Sequence, residues 1–154
     1  MPSSVPAVKA GLRQFLAITP GLRPTDGVTI RRADPEPREF ALQLVVLGQA
    51  TTTQTQAGLA ARAEACTLTC WVMVTKVGVG DTKGAEACDR AYELYDLVEG
   101  AIRADRTAAG SVPPPGRLDI GSSTLDEMPV DGDGSGARRA QLQFQIGWTS
   151  HITA

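Results

Sequence analysis

The sequence predicts an α+β fold: a mostly antiparallel sheet of about four to five strands with two helices packed on one face, in the order α-β-β-β-α-β-β. Three observations predict it. Apolar residues recur at helical spacing in two stretches, Val8–Leu16 and Ala87–Ile102. Strand patterns fill Phe40–Thr53, Glu64–Val77 and Arg138–Thr149, with a weaker one over Arg117–Met128. These strands follow one another in pairs and do not alternate with helices, which favours hairpins over a doubly wound sheet. The 154 residues suit one domain spanning 1–154, long enough to bury about two thirds of its unfolded surface.

The first helix is predicted over Pro6–Ile18. Ser3 or Ser4 can cap it, Pro6 fits a first turn whose N–H has no partner to lose, and Val8, Leu12, Phe15 and Leu16 form one face. Thr19-Pro20-Gly21 stops it. A short strand follows at Val28–Arg32, and Pro35 and Pro37 interrupt the segment after it. In the next strand Phe40, Leu42, Leu44 and Val46 share one face, while Val45 and Leu47 make the other partly apolar. Thr51–Arg62 has no helical stripe and reads as a polar hairpin tip or arm. The chain returns over Glu64–Val77, with Cys66, Leu68, Cys70, Val72 and Val74 on one face and Thr67, Thr69, Trp71, Met73 and Thr75 on the other.

A second helix is predicted from Ala85 to Asp105. Ala87, Ala91, Leu94, Tyr95, Val98, Ala101 and Ile102 make its apolar stripe, with Glu86, Asp89, Glu93 and Asp96 on the far side and Tyr92 off the stripe. Residues 106–116 form a loop ending in Pro113-Pro114-Pro115-Gly116. Two strands close the fold, Arg117–Met128 and Arg138–Thr149, separated by a second polar arm near 126–137. In the last strand Leu142, Phe144, Ile146 and Trp148 alternate with Gln141, Gln143 and Gln145. The sheet face away from the helices is therefore polar and uncharged, with Trp71 and Met73 set into it. A wet sheet face explains this, and so does a contact surface, where Trp and Met are enriched.

Composition excludes several classes. The longest apolar run, Leu42–Gly48, is interrupted by Gln43 and is too short to span a bilayer. The opening MPSSVPAVKAGLRQFLAI lacks the basic start and long apolar centre of a signal peptide. A net charge of −2 lacks the basic surplus of a dedicated nucleic-acid binder. Charge is nonetheless polarised. Residues 1–32 carry Lys9, Arg13, Arg23, Arg31 and Arg32 against Asp26, whereas 85–106 carry Glu86, Asp89, Glu93, Asp96, Glu99 and Asp105 against Arg90, Arg103 and Arg106. A solvated face accounts for this, and so does a subunit whose front meets another's back.

Motifs for chemistry are sparse. Cys66, Cys70 and Cys88 form no CxxC pair, and Cys66 and Cys70 would sit ~13 Å apart on one strand, too far for a disulfide. They are expected to be small buried side chains in a reducing compartment. Asp131-Gly-Asp-Gly-Ser-Gly136 opens like a calcium loop but has Leu142 where the bidentate Glu belongs, so a hairpin turn is expected. Gly78–Gly84 (GVGDTKG) precedes a helix without matching a phosphate-loop pattern, and Asp81 or Thr82 can cap that helix. His151 lies where chain ends fray, with no nucleophile context. No enzymatic activity, cofactor or metal is expected.

The order of elements resembles the tail terminator (tail completion) proteins of long-tailed bacteriophages. The residues that carry the resemblance are the helix VKAGLRQFLAI, a long hairpin with a polar tip, the helix GAEACDRAYELYDLVEGAIRAD and the closing strand GARRAQLQFQIGW. It implies a virion structural protein, assembled in the bacterial host cytoplasm and located at the head-proximal end of the tail. Its partners would be further copies of itself in a ring, commonly a hexamer, together with the tail tube protein and head–tail connector proteins. Such a ring caps the tube, ends its polymerisation and provides the surface for head attachment; DNA passes through its lumen without sequence-specific contact, and no membrane is involved. Candidate subunit contacts are Arg31, Arg32, Trp71, Met73, Tyr92, Arg138 and Arg139. The alternatives are a head–tail connector subunit or, in another class, a small cytoplasmic ligand-binding domain or enzyme using the Gly78–Gly84 turn.

Overall fold

Helix α1 spans Val5–Ala17 and buries Val8, Leu12 and Leu16, the one-sided stripe that its spacing dictates. These coordinates are a computed structural model, which describes residues 3–32, 43–56, 61–77, 81–129 and 137–153. After α1 come a single 3₁₀ turn at Pro24–Asp26 and the strands β1 (Thr29–Arg31), β2 (Gln43–Gln56) and β3 (Ala61–Val77). Helix α2 (Asp81–Ala104) separates these from β4 (Asp119–Pro129) and β5 (Ala137–Thr153). No helix among the described residues is long and apolar enough to cross a membrane.

The fold is α+β, and its five-stranded sheet has the order β1-β2-β3-β5-β4. The sheet is mixed, in contrast to a purely antiparallel meander. β1 runs parallel to β2, pairing Thr29 with Leu44 and Arg31 with Val46, while the other three pairings are antiparallel. The 11 residues from 32 to 42 between β1 and β2 exceed a tight hairpin, so nothing in the connection forces those strands antiparallel. β5 lies between β3 and β4, which makes the closing strand an interior one.

One core holds the molecule together. Val45 and Leu47 of β2, Cys66 to Val74 at alternate positions of β3, and Leu142 to Trp148 at alternate positions of β5 line one sheet face. Val8, Leu12 and Leu16 of α1 and Ala87, Ala91, Leu94, Tyr95, Val98 and Ile102 of α2 join the same cluster, so both helices cover that face. At its centre the Phe144 ring meets Tyr95 edge-on, with centroids 5.3 Å apart at 65°. Gly21 admits α2 against the turn after α1. Its φ of +89° is open to glycine, and a Cβ there would lie 2.7 Å from Leu97 Cδ1.

Several expectations are revised. Both faces of β2 are buried: Val45 and Leu47 point to the helices, whereas Leu44 and Val46, at 3% and 0% exposure, lie on the opposite face beside Met73 and Trp71. Phe40 and Leu42 lie outside the described residues. The strand predicted to end at Thr53 runs on to Gln56, so Thr51–Gln56, read as part of a polar tip or arm, forms the outer half of β2, laddered to Arg62–Thr67; β-branched threonine favours strand even where no apolar alternation marks it. Likewise 126–129 belong to β4 and Ala137 to β5. Asp81–Gly84 forms the first turn of α2, and Lys83 pairs with Glu86 at 3.2 Å. The remainder of the glycine turn, 78–80, lies outside the described residues, as does Asp131–Gly136. His151 sits within β5 opposite Ala63, a strand position and not a frayed end.

Candidate functional site

The sheet face away from the helices is assembled row by row by the pairing register. One row carries Arg31, Val46, Trp71, Gln143 and Thr124; the next carries Thr29, Leu44, Met73 and Gln141; a third carries Thr75 and Arg139. Four of the seven candidate contact residues, Arg31, Trp71, Met73 and Arg139, are thus brought onto one surface. Trp71, Met73 and Arg139 are half-buried there, and the Arg139 guanidinium donates to the Thr75 hydroxyl at 3.3 Å. The other three stand elsewhere. Arg138 pairs with Lys76 on the helix-facing register, Tyr92 is 43% exposed on α2, and Arg32 follows the end of β1.

A kink in β2 shapes this face. The register slips between Leu47 and Ala50, and the carbonyl of Gly48, beside that slip, accepts from Lys9 Nζ of α1 at 2.7 Å. The Trp71 indole lies across Gly48: a Cβ there would fall 2.2 Å from the ring and 2.7 Å from the Thr69 carbonyl oxygen. We expect Gly48→Val to cost about 2–3 kcal/mol by overpacking and to change Trp71 fluorescence, as read by urea denaturation. A loss below about 0.5 kcal/mol would show that Trp71 moves aside freely.

The charge polarity read from the sequence is partly spent within the subunit. Arg13 donates to the Ile30 carbonyl at 3.2 Å, and Arg23 pairs with Asp26 at 3.1 Å. On α2, Glu86, Glu93 and Glu99 face Lys83, Arg90 and Arg103 one turn away, pairs of the kind that contribute a few tenths of a kcal/mol.

Among the described residues, a polar cluster that no sequence motif marks is buried at the outer end of the core. Glu64 lies on the helix-facing side of β3, two residues before Cys66, and is fully buried. Its cross-strand neighbours are Gln54 and Ser150, so a polar row closes the outer end of the apolar face. Its Oε1 accepts from Ser4 Oγ at 2.7 Å, Ser3 Oγ at 3.0 Å and the Ser4 N–H at 3.1 Å, while Cys66 Sγ donates at 3.1 Å. Ser4 Oγ in turn accepts from Trp148 Nε1 and Ser150 Oγ, each at 3.1 Å. The Ser4 hydroxyl does not cap the helix backbone itself. Glu64 instead places a carboxylate at the N-terminus of α1, whose first turn has no acidic residue of its own. The signal was the strand period: Glu64 alternates in phase with Cys66, Leu68 and Cys70, which points it inward.

The electrostatics follow from this packing. Burial alone would raise the Glu64 carboxyl, but the bonds from Ser4, Cys66 and Ser3 outweigh it and hold it down at about 2. The Cys66 thiol is pushed up to about 12 by burial and by the Glu64 charge, so it stays protonated and is no nucleophile at neutral pH. Beside this cluster a surface depression of about 390 Å³ is lined by Cys66, Trp148, His151, Arg117 and Asp119 among others. Among the described residues no group of three or more His, Cys, Asp or Glu side chains could hold a metal ion, and Cys66, Cys70 and Cys88 form no disulfide. No protein-family model matches the chain, and neither does any curated protein sequence.

Proposed function

We propose that this chain is a structural subunit of the tail-terminator kind, which assembles into a homo-oligomeric ring, closes the tail tube of a long-tailed bacteriophage and offers the surface for head attachment. One observation carries the reading. Both helices are committed to one sheet face, which leaves the other face with Arg31, Trp71, Met73 and Arg139 on adjacent rows of a polar, threonine- and glutamine-rich surface. Such a face, with large side chains set among polar threonines and glutamines and charges of both signs at Arg31, Arg139 and the register position of Asp126, suits contact with neighbouring subunits. The element order seen in the sequence supplies the particular kind of assembly.

Native mass spectrometry with negative-stain imaging of the purified protein tests it. Closed rings of uniform subunit number are expected, and Trp71→Ala with Met73→Ala should abolish the rings while the chain stays folded. A wild-type chain that remains monomeric at the highest attainable concentration, both alone and with phage tail tubes, would overturn the proposal.

A further inference from the structure

Three exposed segments of the sheet edges carry the devices that discourage edge-to-edge pairing. β1 is three residues long and ends in Arg31, with Arg32 following. β4 has a register slip between Gly121 and Thr124 and ends at Pro129. Where β4 stops covering β5, Gly116 sits so close that a Cβ on it would lie 2.3 Å from the Thr149 carbonyl oxygen. Short strands, charge, proline, bulges and covering loops are the usual protection of an open edge.

The fourth segment has none of these. β1 pairs only with Leu44–Val46, so beyond it the outer half of β2 is laddered to β3 on one side, and among the described residues no strand lies on the other. Thr51–Gln56 is exposed at all six positions. Its sequence, TTTQTQ, contains no charge and no proline, and the slip in β2 falls before it. Six residues of regular strand present a ladder of about 20 Å.

We propose that this edge pairs with the same edge of a second copy, antiparallel about a two-fold axis, to give a continuous β3–β2–β2–β3 sheet. A register centred on Thr53 sets Thr53 opposite Thr53 of the partner subunit, Thr52 opposite Gln54 of the partner subunit and Thr51 opposite Thr55 of the partner subunit, so that each facing pair shares one sheet face. Every facing pair is then Thr or Gln, with no like charges opposed and hydroxyls and amides able to bond across. Neutral self-complementarity is what favours a second copy as the occupant, since a charged partner strand would find no counter-charge along this edge. A two-fold contact cannot close a cyclic ring, so it is separate from the ring contacts and doubles whatever species they form.

The test uses the full chain. Thr51→Lys with Thr55→Lys puts like charges directly opposite across the axis, and Thr51→Glu with Thr55→Glu does the same with the other sign. Light scattering and native mass spectrometry should give an even-numbered wild-type species, half that mass for each charged variant, and recovery of the full mass when the two are mixed. Circular dichroism confirms that the variants remain folded. Charged variants that keep the wild-type mass, or folded variants that fail to recombine, would overturn the contact. A ring indifferent to these substitutions does so while leaving the ring proposal intact; a wild-type dimer that loses its partner in the variants and never forms rings does the reverse.

Discussion

Glu64→Ala should remove about 3–5 kcal/mol of folding stability, because several buried donors, a backbone N–H among them, lose their charged acceptor at once. Three donors from the start of α1, the Ser3 hydroxyl and the Ser4 hydroxyl and N–H, would lose the oxygen they share. Urea denaturation at neutral pH measures this, and a loss below about 1 kcal/mol would mean that water replaces the carboxylate. The charge itself is read by pH. The Glu64 carboxyl is lowered from 4.5 to about 2 in the folded chain, so the folded state favours the ionised form. Its contribution is fully present above the unfolded value and is lost as pH falls from about 5 through 2; one unit corresponds to ~1.4 kcal/mol, giving about 3 kcal/mol across the window. Glu64→Gln cannot titrate, so the stability gap between it and wild type should narrow over that window. Asp26 and Asp105 are also lowered, by the Arg23 side chain and the Thr107 hydroxyl respectively, but both remain in the variant and cancel in the comparison. A gap independent of pH would show that Glu64 contributes shape and hydrogen bonds without charge.

Phe144→Ala should cost a further independent 3–5 kcal/mol or so, through lost burial and the cavity left behind. Phe144 is fully buried on the interior strand β5, opposite Cys70, and holds the edge-on contact with Tyr95 that ties α2 to the sheet. Phe144→Leu keeps most of the volume and should lose less than half as much. The measurement is the denaturation midpoint at constant m value. Equal losses for the two variants would mean that the ring contact, and not the filled volume, matters at this site.

The parts of this fold that were legible in the sequence are those where one period dominates. The α2 stripe from Ala87 to Ile102 and the alternation from Cys66 to Val74 both place their buried faces correctly, because each has one apolar side to bury. β2 resisted the same reading. With Leu44 and Val46 buried on one side and Val45 and Leu47 on the other, apolarity cannot say which face meets the helices. Its outer half was hidden for the opposite reason, since TTTQTQ has no apolar face and only the β-branched threonines hint at strand. The parallel sense of β1 depends on the route of the connection, which local pattern does not encode. Glu64 reads in the sequence as the first polar residue of a strand, since its partners Ser3 and Ser4 are some 60 positions away, and Trp148 and Ser150, which bond Ser4 in turn, are more than 140 positions from that serine, so only the assembled sheet brings them together. The outer sheet face was anticipated in composition, while the separation of Tyr92 and Arg138 from it needed the register.

The interior place of β5 has a consequence for the order of events in the cell. Ala137–Thr153 pairs with Ala61–Val77 over long separations, from Val77 with Ala137, 60 positions apart, to Ala61 with Thr153, 92 apart. A nascent chain can form α1, the β2–β3 hairpin and α2, but one edge of β3 has no strand to pair with until β5 has left the ribosome. Synthesis at 5–20 residues per second leaves that edge open for roughly 4–15 s after β3 emerges, a window for chaperone capture or mispairing. Such long-range closure also slows folding itself, because loop entropy must be overcome before the central ladder forms. Ribosome-stalled chains ending before residue 137 should therefore stay protease-sensitive, with protection arriving in one step once the closing strand is free.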